Sequence, residues 1–523
     1  MAKWSVGKII SKRALWTPDK VALIYEDQPI TYGRLALNVN RAANLFKSVG
    51  LKKGDRIGVL LKNCPEFIEV YFAAAMLGII FVPINFRLVG PEIKYQLSQS
   101  NCRALVFGDF CIDEVASIRH ELEIEDGRFF CVSANFSKRN KLAPWAEDYR
   151  TAIESQSSHE PEIEDAVDLH DPLCIMYTSG VTGRPKGAVL SHGQTYFKCL
   201  QMFLYTDMRN DDVFLSQAPL CHSAGLFIAA TPVFCHGATL IMRRDFRPDQ
   251  FALDIERYKV TIIFAMTTMW RMILETGKLD EIDTQSVRVV IGGGERTPPQ
   301  LVEELVRRGI HVQAGYGQTE SHFMCFLPKQ DILRKMGSVG LPGFLTDVWV
   351  INEEGRKARP GEIGEIVARG PNVMSEYWQM PDETEKTIIN GVIHTGDLGY
   401  QDEEGYFYIV GRKKDMYRSG GENVYPAEIE QILLDHPKIE NVAIIGVPDE
   451  KWGETGKAFI VVKKGEKLDK EEVLRFLEGK IARYKLPRHI QFVEELPLTA
   501  SGKIKKSELA KKERNGRAGQ KGN

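Results

Sequence analysis

A chain of 523 residues, 43% apolar and 26% charged, is too long for one compact core and has the composition of a soluble globular enzyme with at least two domains. A formal charge of −2 supplies no long-range field for nucleic acid or an anionic membrane, which excludes partners held by charge alone. The nine cysteines stand apart, with no C-x-x-C pair and no His/Cys cluster at metal spacing, so they read as buried thiols of a reducing compartment.

The opening stretch M-A-K-W-S-V-G-K has no signal-peptide core. The longest apolar run, Val70 to Ile84, contains Gly78 and Pro83 and falls short of the ~20 residues a spanning helix needs. It reads as a buried helix running into a core strand, and cytoplasmic residence is expected. Thr31 is placed to cap a helix whose apolar face holds Leu35, Val39, Ala42, Ala43 and Phe46. Arg56–Leu61 and Ile79–Pro83 are strand-like around a helical Pro65–Leu77, and Ala104–Phe107 and Phe129–Val132 flank a further helical pattern. This rhythm predicts parallel sheets with helices on both faces. Residues 134–170 are polar and read as an irregular surface connection.

Ile175 to Leu190 reads I-M-Y-T-S-G-V-T-G-R-P-K-G-A-V-L, a buried strand end running into a loop of hydroxyls, glycines and cations. Glycines let backbone N–H groups converge on phosphate oxygens, hydroxyls add donors or a Mg²⁺ ligand, and Lys186 adds a mobile charge. It is not a Walker A loop, because Gly187 follows the lysine. Ser191–Tyr205 reads as a helix. P-L-C-H-S-A-G-L (219–226) carries His222, by default a core histidine, and Val260–Met272 reads as strand plus helix.

V-V-I-G-G-G-E (289–295) and A-G-Y-G-Q-T-E (314–320) are strand ends where glycines let a flat base lie against backbone. A structural turn would explain the glycines but not the Thr319–Glu320 pair. H-T-G-D-L (394–398) presents Asp397 in a tight turn, with two adjacent acceptor oxygens. Tyr408 to Tyr425 packs four cations into eight residues from Arg412, which by itself reads as a solvated loop. Beyond it, helices at Pro426–Leu434 and Lys470–Arg483 and strands at Glu440–Gly446, Lys457–Lys463 and His489–Val493 make a small α+β unit. P-L-T-A-S-G-K-I-K-K (497–506) contains Lys503, and the basic tail after Leu509 reads as disordered.

Together these motifs, in this order from Ser5 to Leu509, resemble the adenylate-forming superfamily of acyl-CoA and aryl-CoA synthetases, peptide-synthetase adenylation domains and luciferases. Val181 departs from the superfamily's usual Ser or Thr. The resemblance implies an α/β fold: an N-terminal domain (1–411) of mixed and parallel sheets with flanking helices, a mobile α+β lid (412–509) and the tail (510–523). It assigns Thr178, Ser179, Gly180, Thr182, Gly183 and Lys186 to ATP phosphates. Gly294, Glu295, Gly315, Tyr316 and Gly317 go to adenine, with Tyr316 stacking on the base. Asp397 and Arg412 go to the ribose. Thr319 is expected on the α-phosphate, and Glu320 with Thr178 on Mg²⁺. His222 is expected at the acyl pocket and CoA channel, Lys414 at the hinge, Gly420, Gly421 and Trp452 at cofactor, and Lys503 as the catalytic lysine.

The implied reaction joins a carboxylic acid to AMP with release of pyrophosphate and then to coenzyme A. K-D-M-x-x-S-G-G-E-N-V-Y-P-A-E-I-E and P-D-E-K-W-G-E look most like fatty-acyl-CoA synthetases, so a medium- or long-chain fatty acid is expected first and an aryl or alicyclic acid second. Nothing basic in the expected pocket segments asks for a second carboxylate. An enzyme loading a carrier protein is the rival, but 222–235 hold no acid to grip an α-amino group and no carrier domain is expected. A regulator that binds nucleotide without catalysis would be expected to lose Glu320 or Lys503, and both are present. Peripheral membrane contact and a homodimer stay open.

Overall fold

The computed structural model describes residues 4–133, 144–178, 184–294, 297–419, 422–499 and 504–520. Thr31 caps the helix Tyr32–Ser48 by accepting from the Arg34 N–H, and the five apolar residues expected on its inner face are buried. Strands Arg56–Leu60, Ile80–Pro83, Ala104–Gly108 and Phe129–Val132 pair in parallel. The strand Pro172–Thr178 joins this sheet beside Ile80–Pro83 and then pairs antiparallel with Lys186–Ser191. Helix Pro65–Leu77 is buried on all sides apart from Glu66, which is why its sequence is apolar throughout rather than striped.

A second, nine-stranded sheet carries parallel strands Val213–Ser216, Thr239–Met242, Ile262–Phe264, Val289–Gly293 and Val312–Gln318, then turns antiparallel at His322–Phe326. Side chains from both large sheets share one apolar core with helix Pro65–Leu77, including Val59, Phe72, Phe227 and Ile291. A third sheet holds Asp347–Ile351, Gly364–Arg369, Val392–Gln401 and Phe407–Arg412. A fourth is built only from residues from Tyr417 onward, so the chain changes sheets between Arg412 and Tyr417.

Four expectations are corrected. Within 134–170, Tyr149–Glu154 is a helix capped by Asp148, and Arg150 is held by buried Glu69 at 3.0 Å and by Glu66 at 2.7 Å. His394–Leu398 is not a tight turn. It lies inside the Val392–Gln401 strand, which absorbs Gly396 at φ +68°. Helix Lys470–Leu477 stops before Arg483 because Gly479 takes a left-handed φ of +76°. The stretch after Leu509, read as a disordered tail, continues a helix that runs Lys506–Gln520: Leu509 packs with Ala443, Phe459 and Leu496, and Lys512 pairs with Glu508 one turn earlier at 3.3 Å.

Candidate active site

The two large sheets meet end to end at one carboxylate. Thr178 closes a strand of the first sheet, and Glu320 sits at the tip of the Val312–Gln318/His322–Phe326 hairpin of the second. The Thr178 hydroxyl donates to Glu320 Oε1 at 2.9 Å, and the Tyr377 hydroxyl donates to the same oxygen at 2.9 Å. Glu320 is only 8% exposed. Among the described residues nothing donates to Oε2, so one hard oxygen remains to face a cation. Magnesium binds through one or two carboxylates plus substrate phosphates, and this donor set fits it. No group of three or more His, Cys, Asp or Glu able to hold a metal occurs among the described residues.

Beside it lies a second network. Strand register sets Asp397 opposite Arg412, whose Nε approaches Asp397 Oδ1 at 3.1 Å. Asp397 Oδ2 accepts from the Tyr316 hydroxyl at 2.9 Å and from Gln318 Nε2 at 2.8 Å. Burial pushes the Tyr316 hydroxyl well above its ordinary pKa, and Asp397 adds to the effect. The hydroxyl therefore stays a donor and ties the ring to the strand that carries Asp397. The glycines here answer to strand packing as well as to any base. A Cβ at Gly315 would stand 2.6 Å from the Phe323 ring, and one at Gly317 would stand 1.6 Å from the His322 carbonyl oxygen. Gly294 sits at φ +84°, and Thr319 is half-buried in the hairpin turn.

Lys186 is not the mobile cation expected. It is 8% exposed, its ammonium lies 4.1 Å over the Tyr377 ring, and Glu383 holds it at 3.3 Å. With Arg184 and Lys386 it lines an open cleft of about 350 Å³. Lys414 lies in the segment between the third and fourth sheets, where burial and then Arg412 lower its pKa. His222 is half-buried, with Asn85 Nδ2 3.2 Å from its Nε2. It leads into a π-helical turn, Ala224–Ala230, that carries Phe227. Trp452 stands apart in the turn between the strands Ile439–Asp449 and Gly453–Val462 of the fourth sheet, with Lys451 and Arg488 each 5.0 Å from its ring. Ser179, Gly180, Thr182, Gly183, Glu295, Gly420, Gly421 and Lys503 lie outside the described residues.

Three residues in and beside the site went unread in the sequence. Tyr377 and Gln318 reach Glu320 and Asp397 from positions whose residue type alone signals nothing. Lys198 did carry a signal. Thr195, Lys198, Cys199 and Met202 form an i, i+3, i+4, i+7 stripe on the helix His192–Thr206, and all are buried. A lysine on that stripe is out of place.

The sequence matches the AMP-binding enzyme family over residues 10–378 and the AMP-binding enzyme C-terminal domain over residues 428–503. It is 36% identical over 513 residues to a feruloyl-CoA synthase of an Amycolatopsis species, covering 98% of this chain and 100% of that one. It is 34% identical over 515 residues to the long-chain-fatty-acid–CoA ligase FadD13 of Mycobacterium tuberculosis, covering 97% and 98%. The fold is similar to that of the o-succinylbenzoate CoA synthetase MenE from Bacillus subtilis in complex with its acyl-adenylate intermediate, with a TM-score of 0.86, 31% identity and coverage of 96% and 97%. The same enzyme with ATP and a magnesium ion gives a TM-score of 0.85 at 30% identity, covering 96% and 99%. The chain belongs to the AMP-binding enzyme family, and within it to the AMP-forming CoA ligases that use ATP, Mg²⁺ and coenzyme A.

Proposed function

We propose that this AMP-binding enzyme activates an aryl carboxylic acid and passes the acyl group to coenzyme A. A carboxylate oxygen attacks the α-phosphorus of ATP, the bond to pyrophosphate breaks, and the CoA sulfur then attacks the acyl carbon while AMP leaves. The observation that carries the reading is the meeting of Thr178, Tyr377 and Glu320 across two sheets, with the Tyr316–Gln318–Asp397–Arg412 network beside it.

Asp397 and Arg412 hold the ribose, Tyr316 packs against the base, and Thr319 donates to the α-phosphate. Lys186 and the loop from Ser179 to Gly183 bind the outer phosphates. Glu320 and Thr178 are the residues that would hold magnesium, which when bound neutralises phosphate charge. Lys503 approaches the attacking carboxylate, so catalysis is positioning and charge neutralisation with no covalent nucleophile. Residues 1–411 bind the nucleotide and the acid, and 412–509 swing about Lys414. No helix among the described residues is long and apolar enough to cross a membrane, and nine free thiols support a cytoplasmic place.

The aryl acid is set ahead of the fatty acid because feruloyl-CoA synthase and the succinylbenzoate enzyme are both relatives. Likeness to FadD13 favours the second reading, a long-chain fatty acid. Measuring CoA-dependent AMP formation across benzoates, cinnamates, octanoate and palmitate decides between them. A clear preference for palmitate would reverse the order.

A further inference from the structure

Lys186 is gripped from two sides by one short segment of chain. The strand Glu376–Tyr377 pairs antiparallel with Lys186–Ser191, which sets Tyr377 opposite Ala188 and leaves the Lys186 ammonium 4.1 Å over the Tyr377 ring. Glu383, in the first turn of the helix Pro381–Thr387, holds the same ammonium at 3.3 Å. Thr384 fixes the strand to the helix: its hydroxyl accepts from the Tyr377 N–H and donates to the Met380 carbonyl oxygen, both at 2.9 Å. No other carboxylate among the described residues pairs with Lys186. One ring face and one carboxylate therefore answer the charge of a buried lysine.

The same carboxylate has a second cation. Lys386 stands 3.0 Å from Glu383 Oε1, while Lys186 is held by Oε2. The two lysines differ in freedom, since the Lys386 side chain is 70% exposed and that of Lys186 only 10%. Lys386 first, and Lys186 after it, hold the Glu383 carboxyl below its ordinary pKa, so it is charged at neutral pH. All three side chains line the open cleft beside Arg184. Glu383 and a phosphate carry like charge and compete for one ammonium, so neither tolerates the other beside it. Lys386, on a flexible and solvated stem, can keep hold of a carboxylate that lets Lys186 go.

We propose that Glu383 is a positioning residue that competes with the outer phosphates of ATP for Lys186, and that Lys386 takes the carboxylate the phosphates displace. The exchange sets how tightly ATP is held, and it returns Lys186 to Glu383 as pyrophosphate leaves. It rests on the reading above in which Lys186 binds the outer phosphates.

The test measures dissociation constants for MgATP, magnesium pyrophosphate and AMP by calorimetry, on the full chain and on Glu383→Gln, Lys386→Met and the double variant. Glutamine keeps the length of the side chain and an oxygen for Lys186, and removes the charge. Glu383→Gln should bind MgATP and pyrophosphate about three- to tenfold more tightly, the scale of one like-charge contact at a partly exposed site. AMP carries no outer phosphate, so its affinity should not move, and it shows that each variant is folded. In turnover the same factor should appear in the KM for ATP and in inhibition by pyrophosphate. Lys386→Met should weaken MgATP when Glu383 is present and do nothing further in the Glu383→Gln background. Unchanged or weaker MgATP binding by Glu383→Gln overturns the proposal, as does an AMP affinity that shifts with it, the mark of a merely structural change. A Lys386→Met loss as large without the carboxylate as with it also overturns it, because that lysine would then act on the phosphates itself. These constants need no acid, so a chain that shows them but forms no CoA-dependent AMP with any acid would strike the CoA-ligase reading alone.

Discussion

Replacing Glu320 separates its proposed charge role from its structural one. Its Oε1 accepts two hydroxyls at 2.9 Å, from Thr178 and from buried Tyr377. Glu320→Ala takes the acceptor from both, and a buried unsatisfied donor costs about 1–3 kcal/mol, so that variant should lose roughly 2–6 kcal/mol of stability. Glu320→Gln keeps a carbonyl oxygen at the same reach and removes only the charge, so its thermal unfolding should match the wild type. Activity should not follow stability. Both variants should lose about 10²- to 10³-fold in pyrophosphate release from MgATP and acid, the scale of one preorganised electrostatic contact. The assay is pyrophosphate release at saturating acid with Mg²⁺ titrated, beside a melting curve for each variant. A Glu320→Gln enzyme within about threefold of wild type at low Mg²⁺ would refute the assignment. A Glu320→Ala enzyme as stable as wild type would refute the accounting of the two hydroxyls.

Lys503→Ala should block acyl-AMP formation by several kcal/mol, on the order of other lost transition-state charges, while CoA still consumes preformed acyl-AMP. Equal loss in both half-reactions would reduce the residue to support of the lid. Lys414→Pro should let pyrophosphate release survive and make acyl-CoA formation collapse, because proline fixes φ at the segment where the chain changes sheets. Lys413, Asp415 and Met416 donate backbone bonds there, whereas no bond from the Lys414 N–H occurs among the described residues, so proline breaks none of them. Unchanged overall turnover would place the hinge elsewhere. His192 accepts from the Val6 N–H at 3.1 Å, and burial lowers its pKa from 6.5 to about 4, against the pull of Asp171. The unfolded chain therefore binds this proton first, so the stability it contributes is whole above pH ~6.5 and lost as pH falls towards 4, by roughly 3 kcal/mol. Melting curves between pH 7 and 4 should flatten in His192→Asn, and an unchanged slope would contradict this.

Periodicity carried most of the fold into view. The stripe from Leu35 to Phe46 and the short β-branched strands on either side of Pro65–Leu77 follow from spacing alone, because burial on one face or two leaves different patterns. What stayed hidden depends on partners distant in sequence. Asp397 was legible as an acceptor, but its place in a strand is set by pairing with Arg412. The helix at 506–520 follows a glycine-rich composition and is held by Leu509 and a local ion pair. The burial of Glu320 was not legible, since Tyr377, which covers it, is carried by a short strand paired with Lys186–Ser191 of the first sheet. Lys198 shows the opposite case, in which the stripe announced a buried position and only its charge was unexpected.

The route through acyl-AMP is tested most directly by following one oxygen atom. The enzyme is supplied with a substrate acid labelled with ¹⁸O in its carboxylate, together with MgATP and CoA, and the products are weighed by mass spectrometry. If the carboxylate attacks the α-phosphorus and CoA then breaks the acyl carbon–oxygen bond, each AMP leaves with one ¹⁸O and pyrophosphate carries none. Label in pyrophosphate or inorganic phosphate, or AMP formed without label, would contradict the account.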